Sequence, residues 1–493
     1  MRRTLWIVLV AAPLPLWVAL GDEPAAVLAS GGTVCFSWLS LPLAVGLALH
    51  LIVLATLAWV LLARPTPRTL RRVGFGAGGA ALGVVLALAL GEVALRWRAE
   101  HLPRSLTRYL GAPPFRLSES SYYLYDGPWK FRGQPGLDLP ARSAEGEFVR
   151  EGRIRQHPLA EEPEEVALRL DADGFRNAAV PERVDVVCAG DSFTFGWNLP
   201  REASWPALLE GGGRSTYSVA VNAYAPSQEL AVLEAFGLPK APRAVVWALF
   251  EGNDVADEEG FLAARDAPPP AEASAEPTPL RGVHLLGLAR WLGDALPRGL
   301  VDHAAAPRDP PLGSVGGREL PLAVSPTYLR NLFQEPAWGE RAGLASIREA
   351  VRAAKARCAE RGARLLVVLI PSKAHVLVPL LEPAARDALF AQTLREEFAA
   401  LRDARPAGVE PEAWRAQVSA RIAERFDRYA DALLTELEAI LRDEGVTSIS
   451  LLPVLRDAYL AGEPPYFALD SHWNRAGHRV AAEAVTQWLD QAR

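Results

Sequence analysis

Gly190-Asp191-Ser192-Phe193 follows directly on the apolar run Val184-Asp185-Val186-Val187-Cys188-Ala189, and Asp470-Ser471-His472-Trp473 stands near the end of the chain. A serine hydroxyl is a weak nucleophile until a base takes its proton, and an imidazole serves as that base when a carboxylate fixes its tautomer. Ser192, His472 and Asp470 supply the three group types. They are therefore the candidate catalytic set for acyl transfer through a covalent acyl-serine. His478, in Gly477-His478, is a rival for the base. Asp191 fits a turn-capping role, since a carboxylate before the first helical residues accepts their free N–H groups.

Such distant residues meet only if the intervening chain brings strand ends together. The strands expected are Val184–Cys188, Tyr217–Val221, Ala244–Phe250, Arg364–Ile370 and Thr447–Leu451, with helices over Gln228–Phe236, Gly343–Glu360 and the long span Glu412–Glu444 between them. Continuous apolar strands alternating with helices predict an α/β fold with a parallel sheet covered on both faces. Ser192 follows the first strand, Ala220 to Asn222 close the second, Gly252-Asn253-Asp254 close the third, and Asp470 and His472 come after the fifth and a short helix. In a doubly wound sheet these positions share one edge.

These blocks, in this order, resemble the SGNH/GDSL hydrolase superfamily: Gly190-Asp191-Ser192, Ser218 to Gln228, Gly252-Asn253-Asp254 and Asp470-Ser471-His472, over roughly residues 167–493. Gly174-Phe175-Arg176, Ile370-Pro371-Ser372-Lys373 and the Asp-x-His-Trp ending look like a narrower, membrane-tethered branch similar to the alginate-type polysaccharide O-acetylation proteins. The resemblance implies a flavodoxin-like α/β/α three-layer fold with a five-stranded parallel sheet. It also implies Ser192 as nucleophile, His472 as base, Asp470 as orienting carboxylate, and an oxyanion hole from the Asn253 side chain with the backbone amides of Ser192 and Ala220. The chain departs from the superfamily at Ala220, where glycine is usual, at Glu251, which takes the first glycine position of the third block, and in an Asp-x-His rather than Asp-x-x-His ending. Lys373 and Trp473 are candidate substrate contacts, and each has an ordinary structural alternative. No Gly-x-Ser-x-Gly elbow occurs, which argues against an α/β-hydrolase.

Of the 493 residues, 50% are apolar, and the excess lies in the first hundred. Three apolar segments, 5–20, 41–63 and 73–95, predict a membrane anchor over residues 1–96, the second being long enough for the ~20 residues a bilayer core requires. His50 and Glu92 within or beside them read as ordinary polar groups. Arg2 and Arg3, and Arg64, Arg68, Arg71 and Arg72 in the link between the second and third segments, place those stretches on the cytoplasmic side and everything after Leu95 outside; segment 5–20 is open to a second reading as a cleaved signal peptide. Residues 97–163 read as a stalk or cap, and 164–493 as the hydrolase-like domain with a proline-rich insertion at about 263–323, which embeds a helical stretch around Trp291. A helix break is expected near 402–411.

The net charge of −6 offers no footprint for nucleic acid. Cys35, Cys188 and Cys358 form no ligand or disulfide pattern, so neither a metal nor another cofactor is expected. The expected activity is extracytoplasmic serine esterase action on O-acyl, especially O-acetyl, esters of a cell-envelope or exported polysaccharide. The alternatives are an O-acetyltransferase fed by a separate multispanning acyl-donor protein, a non-catalytic carbohydrate-binding assembly subunit, and a lipid-directed lipase or thioesterase. The expected partners are thus an acylated carbohydrate, the lipid bilayer and that donor protein.

Overall fold

The computed structural model describes residues 123–265 and 308–491, with gaps at 125, 144–145, 151–152, 161–164, 334–340, 394–404 and 407, and short stretches within 34–40, 66–69 and 90–91. The segments 5–20, 41–63 and 73–95 lie outside the described residues but for Gly91 and Leu90, as does Trp291. Among the described residues no helix is long and apolar enough to cross a membrane. Two compact units divide the chain, residues 1–117 with 275–306 and residues 118–274 with 307–493; the second contains the site.

That unit is built on five parallel strands: β1 (Val186–Ala189), β2 (Thr216–Ser218), β3 (Ala244–Phe250), β4 (Arg364–Ile370) and β5 (Thr447–Ser450). Their order across the sheet is β5-β4-β3-β1-β2. β1 and β3 are buried along their whole length, which is why their sequences are unbroken apolar runs rather than alternating ones. Helices Trp205–Gly211, Leu452–Leu460 and Arg475–Gln491 form one packed group. Pro226–Val232, Asp254–Ala264, Ala342–Glu360 and Ala432–Asp443 form the other. The sheet lies between them in an α/β/α arrangement, with one continuous apolar core.

The strand order reverses between β1 and β3, and open α/β folds bind ligands outside the C-terminal ends of strands at such a switch point. Ser192 leaves β1 there, and Asn253 leaves β3 beside it. The turn after β1 demands glycine at Gly190, whose φ is +147°; a Cβ would strike the Thr194 hydroxyl and approach the Ala248 carbonyl oxygen at 3.2 Å.

The observed elements differ from expectation in four places. The β2 edge runs over Thr216–Ser218 rather than Tyr217–Val221, and the Asn177 side chain covers its last residue, donating to the Ser218 carbonyl at 2.9 Å and accepting its N–H at 2.8 Å. The helix over Gln228–Phe236 starts at Pro226 and widens to π-type turns at Leu233–Gly237. The span Glu412–Glu444 is two helices, Pro411–Tyr429 and Ala432–Asp443, broken where Asp431 turns its carboxylate to His375. Within the span expected as the proline-rich insertion, Leu312–Val315 and Arg318–Pro321 form a hairpin whose first strand alternates exposed and buried residues, with Leu320 and Leu322 in the core.

Glu251, the departure from the third block, anchors the sheet edge. Its buried carboxylate lies 2.9 Å from His375 Nδ1 and accepts the Ser372 amide at 2.7 Å, while His375 Nε2 lies 2.7 Å from Asp431. A glycine would leave this imidazole buried with one partner fewer. Burial works against a charged His375, but Glu251 and Asp431 outweigh it and hold the imidazole up at about 9.

A histidine whose folded value is raised adds stability that is complete below its unfolded value near 6.5 and is lost as pH rises through the folded value. The unfolding free energy of the wild type should therefore fall relative to His375→Gln by about 3 kcal/mol between about pH 6 and about pH 9.5, read by urea denaturation. Parallel curves over that range would contradict the charged pair.

Candidate active site

Ser192 is the first residue of a one-turn helix, Ser192–Phe195, capped by Asp191, whose Oδ1 accepts the Phe193 amide at 2.9 Å. Burial raises the Asp191 carboxyl to about 6. The turn is clamped from behind by Arg176, buried with its guanidinium on the carbonyls of Phe195 (2.9 Å), Gly196 (2.5 Å) and Leu199. That contact is the work of the Gly174-Phe175-Arg176 motif, with Gly174 at φ +85° and Phe175 fully buried.

The Ser192 hydroxyl lies 2.9 Å from His472 Nε2, and His472 Nδ1 lies 2.6 Å from Asp470 Oδ1. The second pair is residues 470 and 472 of one loop, but the first spans 280 positions. Asp470 is fully buried and all its capacity is engaged. Oδ1 also accepts the His472 amide at 2.9 Å, and Oδ2 accepts the Glu147 amide at 2.8 Å and the Asn198 side chain at 2.9 Å. Burial pushes its carboxyl up, but the His472 charge and these donors prevail and set it at about 2. Burial likewise opposes charging His472, and Asp470 overrides it, so the imidazole is more basic than an ordinary histidine. Atoms of Glu147, Asp470 and His472 lie within 4.8 Å of one another; the triad's own hydrogen bonds account for that closeness, with Ser471 donating to the Glu147 carboxylate.

The rival base is placed elsewhere. His478 is buried, its Nδ1 accepts the Trp205 amide at 3.2 Å, and burial drives it down to about 3.

Lys373 and Trp473 are corrected as substrate contacts. Lys373 is 2% exposed and its Nζ donates to the carbonyls of Phe467 (2.8 Å), Ala468 (2.7 Å) and Asp470 (3.2 Å), so it binds the loop that carries the acid. Burial lowers its ammonium to about 7. Trp473 is 1% exposed, with its ring edge-on to Phe193 at 5.0 Å and to His478 at 5.5 Å. Lys373 stands at the sheet edge that carries the chemistry and Trp473 adjoins the histidine, but both side chains turn inward.

Of the oxyanion candidates, the Ala220 amide sits in a fully buried turn and makes a long 3.4 Å contact to Ser218 Oγ. Asn253 stands at the head of helix Asp254–Ala264, half-buried, its Nδ2 donating to Asp257 at 2.7 Å. The backbone around it is held by Asn331, which donates to the Gly252 carbonyl at 3.0 Å, and by Asp254, which accepts the Phe250 amide at 2.7 Å. An aromatic row runs back from there: Tyr328 is edge-on to Phe250 at 5.2 Å, Phe250 lies 4.4 Å from Phe193, and Phe193 lies 5.2 Å from His472.

Sequence reading missed Glu147, Asn198, Asp257, Tyr328 and His375. Glu147 lies in the segment expected as stalk or cap, and it acts through a backbone amide that any residue type supplies. Asn198, six residues after the nucleophile, takes a left-handed φ of +67° that asparagine tolerates, and its residue type was the one readable signal.

Residues 407–493, which include Asp470 and His472, match the family model described as the SGNH hydrolase-like domain of acetyltransferase AlgX. That stretch of the chain is similar to an SGNH hydrolase-like domain. The chain's site is built for serine esterase or acyltransferase chemistry. No curated protein matches the chain. Among solved structures, a GDSL-like lipase from Bacteroides thetaiotaomicron aligns over 64% of this chain and 93% of its own at 11% identity and a TM-score of 0.28. An acetyl xylan esterase aligns over 61% and 98% at 11% identity and a TM-score of 0.27.

Two outcomes follow from this geometry. His472 must be neutral to accept the Ser192 proton, so activity should rise with pH through a value above the ordinary histidine one. Asp470→Asn should move that limb downward and cut kcat by roughly 10⁴, read from pH–rate profiles. Lys373→Met leaves three carbonyls without their donor and should cost about 2–4 kcal/mol of unfolding free energy and lower kcat, with KM for a small ester nearly unchanged. A selective rise in KM would instead return Lys373 to substrate binding.

Proposed function

We propose that this protein is a membrane-tethered enzyme that acts outside the cytoplasm on O-acetyl esters of a cell-envelope or exported polysaccharide. The observation that carries the chemistry is the unbroken chain Ser192–His472–Asp470 at 2.9 and 2.6 Å. His472 Nε2 takes the hydroxyl proton as Ser192 Oγ bonds to the ester carbonyl carbon, and Asp470 stabilises the imidazolium. The tetrahedral intermediate expels the alcohol oxygen, which leaves with the proton from His472. Water or a second hydroxyl then attacks the acyl-serine, giving its proton to His472, and the proton returns to Ser192. Oxyanion donors from Asn253 and the Ser192 and Ala220 amides complete the reading, each typically worth ~3 kcal/mol of barrier.

The triad serves water and sugar acceptors equally. Transfer is favoured by the family description, which names an acetyltransferase. A transferase facing outward needs acyl groups delivered across the bilayer, hence a separate multispanning donor protein. The tether rests on the three apolar N-terminal runs with arginines at their cytoplasmic ends.

The full chain in detergent should hydrolyse p-nitrophenyl acetate faster than longer-chain esters, and Ser192→Ala should abolish this. Equal turnover by the two proteins would refute the catalytic assignment, and a preference for long chains would favour a lipase. An acetyl donor and an oligosaccharide acceptor, read by mass spectrometry, separate transfer from hydrolysis.

A further inference from the structure

Asn253 has one notable constraint. As an oxyanion donor it must present a side-chain N–H in a fixed direction, since such donors act by being oriented before charge develops. The backbone leading to it is held at three successive residues: the Phe250 amide by Asp254, the Glu251 amide by the Ile370 carbonyl, and the Gly252 carbonyl by Asn331. None of these contacts fixes the amide plane. The side chain does not cap its helix. Its Oδ1 is buried with no hydrogen-bond partner among the described residues. What remains is the 2.7 Å bond from Nδ2 to Asp257 Oδ2, one helical turn on and so on the same face. Nδ2 carries two hydrogens; with one engaged by Asp257, the amide plane is set and the second is aimed.

We propose that Asp257 is a positioning residue for the reaction, acting through Asn253 by holding its amide in the orientation that serves the oxyanion. The proposal rests on the reading of Ser192 as nucleophile and Asn253 as oxyanion donor. Asp257 touches neither substrate nor the triad, and its effect passes through one hydrogen bond.

A double-mutant cycle tests it, read as the rate constant for diethylphosphorylation of Ser192 by paraoxon, with 4-nitrophenolate as the leaving group, followed by intact-protein mass spectrometry on the full chain. This reaction needs the activated serine and the oxyanion hole but no knowledge of the natural ester. Asp257→Ala should slow labelling by roughly 10–100-fold and Asp257→Asn, which keeps a carbonyl acceptor for the amide, by less than about threefold. In an Asn253→Ala background, Asp257→Ala should have no further effect. An equal factor in both backgrounds, or wild-type labelling by Asp257→Ala, overturns the proposal while leaving the triad standing. If wild-type Ser192 is not labelled at all, the underlying reading fails and the proposal with it. Should the alanine variant not fold, Asp257→Ser, too short to reach Asn253 but still polar on the helix face, runs the same cycle with the same outcomes.

Discussion

A carboxylate with no access to water sits at the centre of this site, and its solvation by protein decides the geometry around it. Leaving such a group buried without donors would cost several kcal/mol. Asp470 instead accepts four N–H groups drawn from its own loop, from the segment after the nucleophile and from residue 147. Because three separate stretches must converge to satisfy one ion, the imidazole attached to it has little freedom. His472 is then presented to Ser192 by default. Lys373 adds a buried donor beneath the same loop, tying down the carbonyls of Phe467, Ala468 and Asp470.

The nucleophile is held by the same principle from the other side. Gly190 permits a backbone conformation closed to other residues, Asp191 caps the first turn, and Arg176 gathers three carbonyls at its end. Neither clamp touches a substrate. Each removes motion from an atom that must sit within hydrogen-bond distance of its partner for proton transfer to be efficient.

The five strands and the order of the blocks were legible because buried parallel strands write themselves as apolar runs, and chemistry in such folds sits at strand ends. Ser192, His472 and Asp470 were legible because side-chain identity carries their function. Glu147 was not, since a backbone amide leaves no mark in the sequence. Glu251 looked like a lost glycine until His375, 124 positions away, supplied its reason. Lys373 and Trp473 show the converse error: a residue type suited to binding, next to a catalytic group, was turned inward by the needs of packing.

The bond between the Glu147 amide and Asp470 spans 323 positions. Contacts this remote in sequence form late, because the long loop they close must first lose its freedom. While the polypeptide is being made, the serine has neither base nor orienting acid until residues 470–472 emerge. A chain cut short anywhere between the nucleophile and residue 470 therefore has a serine with no means of activation.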